Sequence, residues 1–188
     1  AVPAAAAFGK SESADFQFEN DSAELQNGGK FILKKYESPE ALEADLKSGA
    51  TVAAEIRTAD VEKFAPVADG ANVVFVAPAP ADGRHPAGEA RMLAAKLRKC
   101  GLKNPVWLKF DDSKLANKNA DELSKLNEAS IYIGSLLADG IGDIVSVEIC
   151  PDAEKNAKYA LAILQGARAR KSKAEYIACP SCGRTLYN

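Results

Sequence analysis

The residues best spaced for chemistry stand near the end of the chain, in Cys179-Pro180-Ser181-Cys182-Gly183. A Cys-x-x-Cys pair brings two thiolates onto one tight turn, and the glycine after it permits the left-handed backbone that such knuckles use. Three chemistries fit: half of a zinc knuckle, half of an iron–sulfur site, or a redox dithiol. Zinc and iron–sulfur clusters take about four ligands, so Cys179 and Cys182 supply half a coordination shell. The other two cysteines are Cys100 and Cys150. Cys150 is expected at the end of a strand, and a four-cysteine zinc site that includes Cys100 is one reading; a purely structural role for both is the other.

Other candidates have plainer explanations. His85 is the sole histidine, in a connection rich in Pro and Gly after an expected strand. Such connections build sites at the edge of a parallel sheet, but a histidine beside Arg84 is commonly just solvated. Gly140-Ile141-Gly142-Asp143 carries two glycines of a nucleotide fingerprint. It runs into an expected strand, however, so the helix N–H groups that would cradle a phosphate are missing, and a tight turn is the simpler reading. Arg168, Arg170, Lys171 and Lys173 follow a long helical pattern. Cations there complement the negative helix end; docking of an acidic partner or a phosphate is the alternative.

The elements that must position these residues alternate between β and α. Apolar runs predict strands at Phe31–Leu33, 51–56, 72–76, 106–110, 131–133, 143–149 and 175–178. Helical patterns fill the gaps. One opens at Ser38-Pro39, an N-cap followed by proline, and stops at Gly49. A short one covers 60–67. Glu89–Cys100 places Ala90, Leu93, Ala94 and Leu97 on one stripe ahead of Gly101. A polar helix is expected at 120–127, and 151–166 carries Ala157, Ala160, Leu161 and Leu164 on one face. Residues 1–29 show no sustained period and read as a linker or N-terminal extension, with a possible edge strand at Phe16 and Phe18. The alternation predicts an α/β domain over 30–170, with a mostly parallel sheet and flanking helices. A barrel resembling the (β/α)₈ type, partial or degenerate because a full one takes about 250 residues, competes with an open doubly wound sheet.

Composition narrows the function classes. The formal net charge is −2 over 188 residues, which argues against binding nucleic acid by phosphate neutralisation. No apolar run approaches the ~20 residues that span a bilayer, so no membrane role is expected. Four cysteines in a chain of this length suit a reducing compartment rather than a disulfide scaffold. The first residue is Ala1 and the only methionine is Met92, so the chain is expected to be part of a longer protein.

The run Gly134–Asp143, the helix end Leu164-Gln165-Gly166-Ala167-Arg168, and Glu175-Tyr176-Ile177-Ala178-Cys179-Pro180-Ser181-Cys182-Gly183-Arg184-Thr185-Leu186 together resemble the 4-hydroxy-3-methylbut-2-enyl diphosphate synthase family. The likeness is closest to its three-domain form, and it is specific over about residues 129–188. The resemblance implies a [4Fe-4S] enzyme that reductively opens 2-C-methyl-D-erythritol 2,4-cyclodiphosphate in non-mevalonate isoprenoid synthesis, with flavodoxin or ferredoxin as electron donor. It implies a substrate barrel, a cluster domain, and between them an inserted structural domain related to the barrel. Carried over, Cys179 and Cys182 are two cluster ligands, and residues 171–188 are the start of the iron–sulfur domain. The substrate barrel and the remaining ligands would then lie outside this chain, which would be a spacer, inactive and without a cluster by itself. A bacterial cytoplasm, or a plastid for a plant or alga, is the implied location. A free-standing α/β binding module with a zinc knuckle is the alternative.

Overall fold

The computed structural model describes residues 2–24, 29–79, 85–111 and 113–176. In chain order the strands are β1 (Ala4–Phe8), β2 (Phe16–Phe18), β3 (Ser22–Glu24), β4 (Lys30–Lys35), β5 (Thr51–Glu55), β6 (Val73–Val76), β7 (Val106–Phe110) and β8 (Ile144–Val147). The helices are α1 (Pro39–Lys47), α2 (Val61–Ala68), α3 (Pro86–Lys99), α4 (Glu122–Ala138) and α5 (Ala153–Gly166). No helix among the described residues is long and apolar enough to cross a membrane.

The strands form one sheet in the order β2-β1-β8-β7-β6-β5-β4-β3. Every neighbouring pair is parallel except β3 with β4. The two end strands, β2 and β3, are consecutive in sequence and joined through a Glu19–Ser22 bridge. The sheet therefore curls almost into a barrel, with a hairpin where the last ladder would be. The barrel-like expectation holds, and the open doubly wound sheet does not.

Strand alternation sorts side chains into two cores. One face of the sheet meets the helices: Val52, Ala54, Phe75, Leu108 and Val145 share a cluster with Leu42, Phe64, Leu93, Ile133 and Leu164. The other face turns inward, where Ala6, Phe18, Phe31, Val74, Val76, Trp107 and Ile144 pack together. Phe18 is the hub of this interior. Its ring centroid lies 5.0 Å from that of Trp107, 5.2 Å from Phe31 and 5.4 Å from Phe8. Small residues at Ala6, Ala23 and Ala53 leave the volume those rings fill, as close packing requires.

Three sequence expectations need correction. Residues 4–24, expected within a linker apart from an edge strand at Phe16 and Phe18, supply that edge strand as β2 and also β1 and β3. Ala5, Ala6 and Ala7 are at most 1% exposed, and β1 sits between β2 and β8. A run of alanines has no apolar–polar alternation to read, which hid the strand. Second, the helix expected at 120–127 and the strand expected at 131–133 are one helix, α4, capped by Asp121 accepting from the Ser124 N–H. Neither Ser130 nor Gly134 interrupts that helix. The Ser130 hydroxyl donates back to the Leu126 carbonyl at 2.7 Å, and Gly134 faces open space. Third, Glu175 and Tyr176 are not in a strand, and Tyr176 is fully exposed; the rest of the strand expected at 175–178 lies outside the described residues.

Candidate functional site

Cys179 and Cys182 lie outside the described residues, but the segment leading to them is held in place. Gln165, buried on the last turn of α5, accepts from the Ser172 N–H (3.1 Å), the Ser172 hydroxyl (2.8 Å) and the Lys173 N–H (3.0 Å). Its amide donates to the Lys173 carbonyl and to Glu175. Arg170 binds the Asp15 carboxylate through both terminal nitrogens and also donates to the Pro3 carbonyl at 3.4 Å. Burial raises the Asp15 pKa, but the Arg170 hydrogen bonds and charge, with the Ala5 N–H, outweigh it and hold the carboxyl below its ordinary value. For Arg170, the acid found in the basic run's surroundings is Asp15 of the same chain.

The β1–β2 connection is tied to the other end of α5. Glu154 accepts from the Ser11 hydroxyl at 2.7 Å, the Glu12 N–H at 2.9 Å and the Ser13 hydroxyl at 2.5 Å. Those serine hydrogen bonds depress its pKa to about 2.

A charged network missed from sequence closes the C-terminal mouth of the barrel, the end at which catalytic groups collect in such folds. Lys109, next inward-facing residue after Trp107, reaches Asp111 at 2.9 Å and Glu148 at 3.4 Å, and its ammonium lies 5.0 Å from the centroid of the Phe8 ring. Burial lowers the Lys109 pKa, but the two carboxylates more than reverse this. Burial raises Asp111, yet the Lys114 charge, the Ser113 hydroxyl and Lys109 bring it down to about 2. For Glu148 burial prevails and the pKa rises. Beneath this layer the indole Nε1 of Trp107 donates to Ser146. Rings and ion pairs thus fill the space a barrel enzyme would give to substrate. The only early signal was the odd placement of Lys109 inside Val106-Trp107-Leu108-Lys109-Phe110.

The remaining candidates have local roles. His85 is the N-cap of α3, its Nδ1 accepting from the Ala87 N–H at 3.2 Å. Gly140 and Gly142 form the turn between α4 and β8, with φ of 72° and 121°. Asp143 accepts from the Val106 N–H at 2.9 Å, tying β8 to β7. Cys100 caps the C-terminus of α3, below the start of β7. Cys150 lies beyond the C-terminal end of the parallel strand β8, bonded to Asn156. The two thiols therefore sit at opposite ends of the sheet, and no zinc site joins them. Among the described residues no group of three or more His, Cys, Asp or Glu is arranged to hold a metal.

No family model matches the chain. Several curated proteins do. A 4-hydroxy-3-methylbut-2-en-1-yl diphosphate synthase (flavodoxin) from Chlorobaculum tepidum is 35% identical over 102 residues, which is 54% of this chain and 13% of that protein. A 4-hydroxy-3-methylbut-2-en-1-yl diphosphate synthase (ferredoxin) from Crocosphaera subtropica is 52% identical over 98 residues, 52% of this chain and 23% of its own. One from a Synechococcus species is 39% identical over 98 residues and 22% of its length. The matched stretch is less than a quarter of each relative. The resemblance carried by the cysteine motif thus stands on sequence identity as well: about half of this chain is similar to 4-hydroxy-3-methylbut-2-en-1-yl diphosphate synthases.

Proposed function

We propose that this chain is one part of a 4-hydroxy-3-methylbut-2-enyl diphosphate synthase. The described barrel is its inserted structural domain, and residues 171–188 open its iron–sulfur domain. The domain's boundaries are those expected from sequence, 30–170, enlarged by the three strands of residues 4–24. The observation that carries the structural role is the filled interior. Phe8, Phe18, Phe31 and Trp107 occupy the barrel, and the Lys109 ion pairs lie over them. A substrate would have to displace a packed core.

In this reading Cys179 and Cys182 are two ligands of the [4Fe-4S] cluster. Soft thiolates are the right donors for it, and two of them are half the set. When bound, the cluster supplies the electrons for reductive ring opening of the cyclic diphosphate substrate. What this chain contributes is position. Gln165 and Arg170 fix the approach of the backbone to the knuckle, and the rigid barrel sets its distance from the substrate barrel. A flavodoxin or ferredoxin, the donors named for the relatives, would serve the parent, in the cytoplasm if it is bacterial.

The test uses the complete parent protein. Residues 4–170 are replaced by a short Gly/Ser linker, and turnover of the cyclic diphosphate and oligomeric state are measured. Loss of turnover, or turnover recovered only in an oligomer, supports the reading. Full activity in an unchanged assembly overturns it. So does a coding sequence that stops naturally after Asn188.

A further inference from the structure

At the end of the barrel opposite the closed mouth, one side carries cations without partners. Arg98 is on the last turn of α3 and Lys103 on the connection to β7; Arg168, Lys171 and Lys173 follow α5. All five are exposed, and among the described residues none is ion-paired. The whole chain has a net charge of −2, so the charge is gathered here against the overall composition. We infer that this face docks the electron-carrier protein of the parent enzyme, through carboxylates on that carrier. The inference rests on the reading of Cys179 and Cys182 as cluster ligands given above, and it adds the surface on which their electron source is received.

The two groups of cations belong to one surface. Arg98 and Lys103 line a shallow cleft with Gly140 and Asp143 of the α4–β8 turn. The Asp143 carbonyl accepts from the Ala4 N–H at 2.9 Å. The neighbouring Pro3 carbonyl accepts from Arg170, which leads directly into Lys171 and Lys173. The acids of this sector are engaged within the protein. Asp139 pairs with Arg91 at 2.7 Å, and Asp15 with Arg170. Asp143 accepts from the Val106 N–H and Glu175 from the Gln165 amide. Asp69, beside Lys103 at the edge, is the exception. Arg168 follows the C-cap of α5 with φ 57°, a position where glycine is the usual residue. Arginine there keeps a cation on this face at a conformational cost that glycine would avoid.

The surface lies close to the residues it would serve. Cys179 is six residues beyond Lys173, at most about 20 Å of extended chain. The character of the face suits a transient partner. A permanent contact is depleted of charge at its core. Exposed, unpaired lysines and arginines fit a protein that is steered in by charge and then released. The relatives are named for such carriers, flavodoxin in one case and ferredoxin in another.

The test uses the complete parent enzyme with two kinds of reductant. Reduced ferredoxin and reduced flavodoxin, measured separately, must dock; the small reductant dithionite need not. Arg98→Gln, Lys103→Gln, Lys171→Gln and Lys173→Gln are combined in one variant. The KM for the carrier that supports turnover should rise about tenfold at low ionic strength, and the difference should shrink as salt is added. Turnover with dithionite stays at the wild-type level. Lys35→Gln, an exposed lysine at the opposite end of the barrel, changes neither. An unchanged KM in the combined variant overturns the inference and leaves the family reading in place. Equal losses with carrier and dithionite also overturn it, and assign the face to the parent's own flanking domains. A wild-type parent that does not turn over the cyclic diphosphate even with dithionite removes the family reading, and the inference with it.

Discussion

Trp107 and Ser146, on the adjacent strands β7 and β8, meet inside the barrel, the indole Nε1 donating to the serine hydroxyl at 2.9 Å. Both residues are 0% exposed. In a dry aromatic interior neither group has water as a substitute. Ser146→Ala should therefore destabilise the fold by about 1–3 kcal/mol, the cost of leaving a buried donor unpaired. Urea unfolding reads this directly. Trp107→Phe should cost less in the Ser146→Ala background than alone, because the orphaned N–H goes with the indole. Equal costs in both backgrounds would mean that the bond contributes nothing.

Asp111 and Glu148 share Lys109 but respond oppositely to pH. The folded pKa of Asp111, about 2, lies below its unfolded value of 3.8. Its contribution is present above pH 3.8 and is lost as pH falls toward 2. Glu148 is raised above 4.5, so its contribution is present below that pH and is lost as pH rises through the folded value. At pH 7, Asp111→Asn should cost on the order of 1–2 kcal/mol after allowance for partial exposure. Glu148→Gln should be neutral or stabilising there. Urea midpoints for both variants at pH 7 and pH 4 make the comparison, and a larger loss for Glu148→Gln at pH 7 contradicts it.

The two glycines of the α4–β8 turn should differ sharply. A Cβ on Gly142 would meet Leu108 Cδ1 at 2.6 Å and Cγ at 3.0 Å, at a φ of 121°. Leu108 is fully buried and has nowhere to go. Gly142→Ala should cost about 1–3 kcal/mol from overpacking, with backbone strain in addition. Gly140, at φ 72° with nothing within 4 Å, pays only for the left-handed backbone, and alanine there should cost about 1 kcal/mol. Thermal unfolding of the two variants ranks them; the reverse order would refute the packing account.

Gln165→Met keeps side-chain length and apolar packing but removes the three hydrogen bonds accepted from Ser172 and Lys173. Amide exchange at Ser172 and Lys173 should accelerate at least about tenfold, while that of the β8 core stays near wild type. In the proposed parent enzyme the same change should lower turnover by loosening the approach to Cys179. Unchanged protection at both amides would show that Gln165 does not hold this segment.

Much of the helix–strand framework was legible because its signals are local. Ser38-Pro39 announced α1, the Ala90–Leu97 stripe announced α3, and the unbroken Val73–Val76 run matched a strand buried on both faces. What escaped depended on contacts distant in sequence. The alanines of β1 become a strand because β8 and β2 flank them. Ile131 and Ile133 look like strand residues until Ser130 and Gly134 prove to be helix interior. The mouth network joins Lys109 to Glu148 across two strands, a pairing no spacing rule could supply. The cysteine motif, by contrast, is a wholly local pattern, contained in five consecutive residues.

The hydrogen bond from Arg170 to the Pro3 carbonyl has a topological consequence. The backbone before β1 and the backbone after α5 come within the reach of one arginine side chain. A polypeptide can thus leave a host fold, build this barrel and return almost to its point of departure, so the two flanking halves need not be pried apart. Domains with such adjoining ends tolerate splicing into another chain. Arg170 and Asp15 would then act as a clasp at the neck, stopping motion of the barrel from pulling on the residues that lead to Cys179.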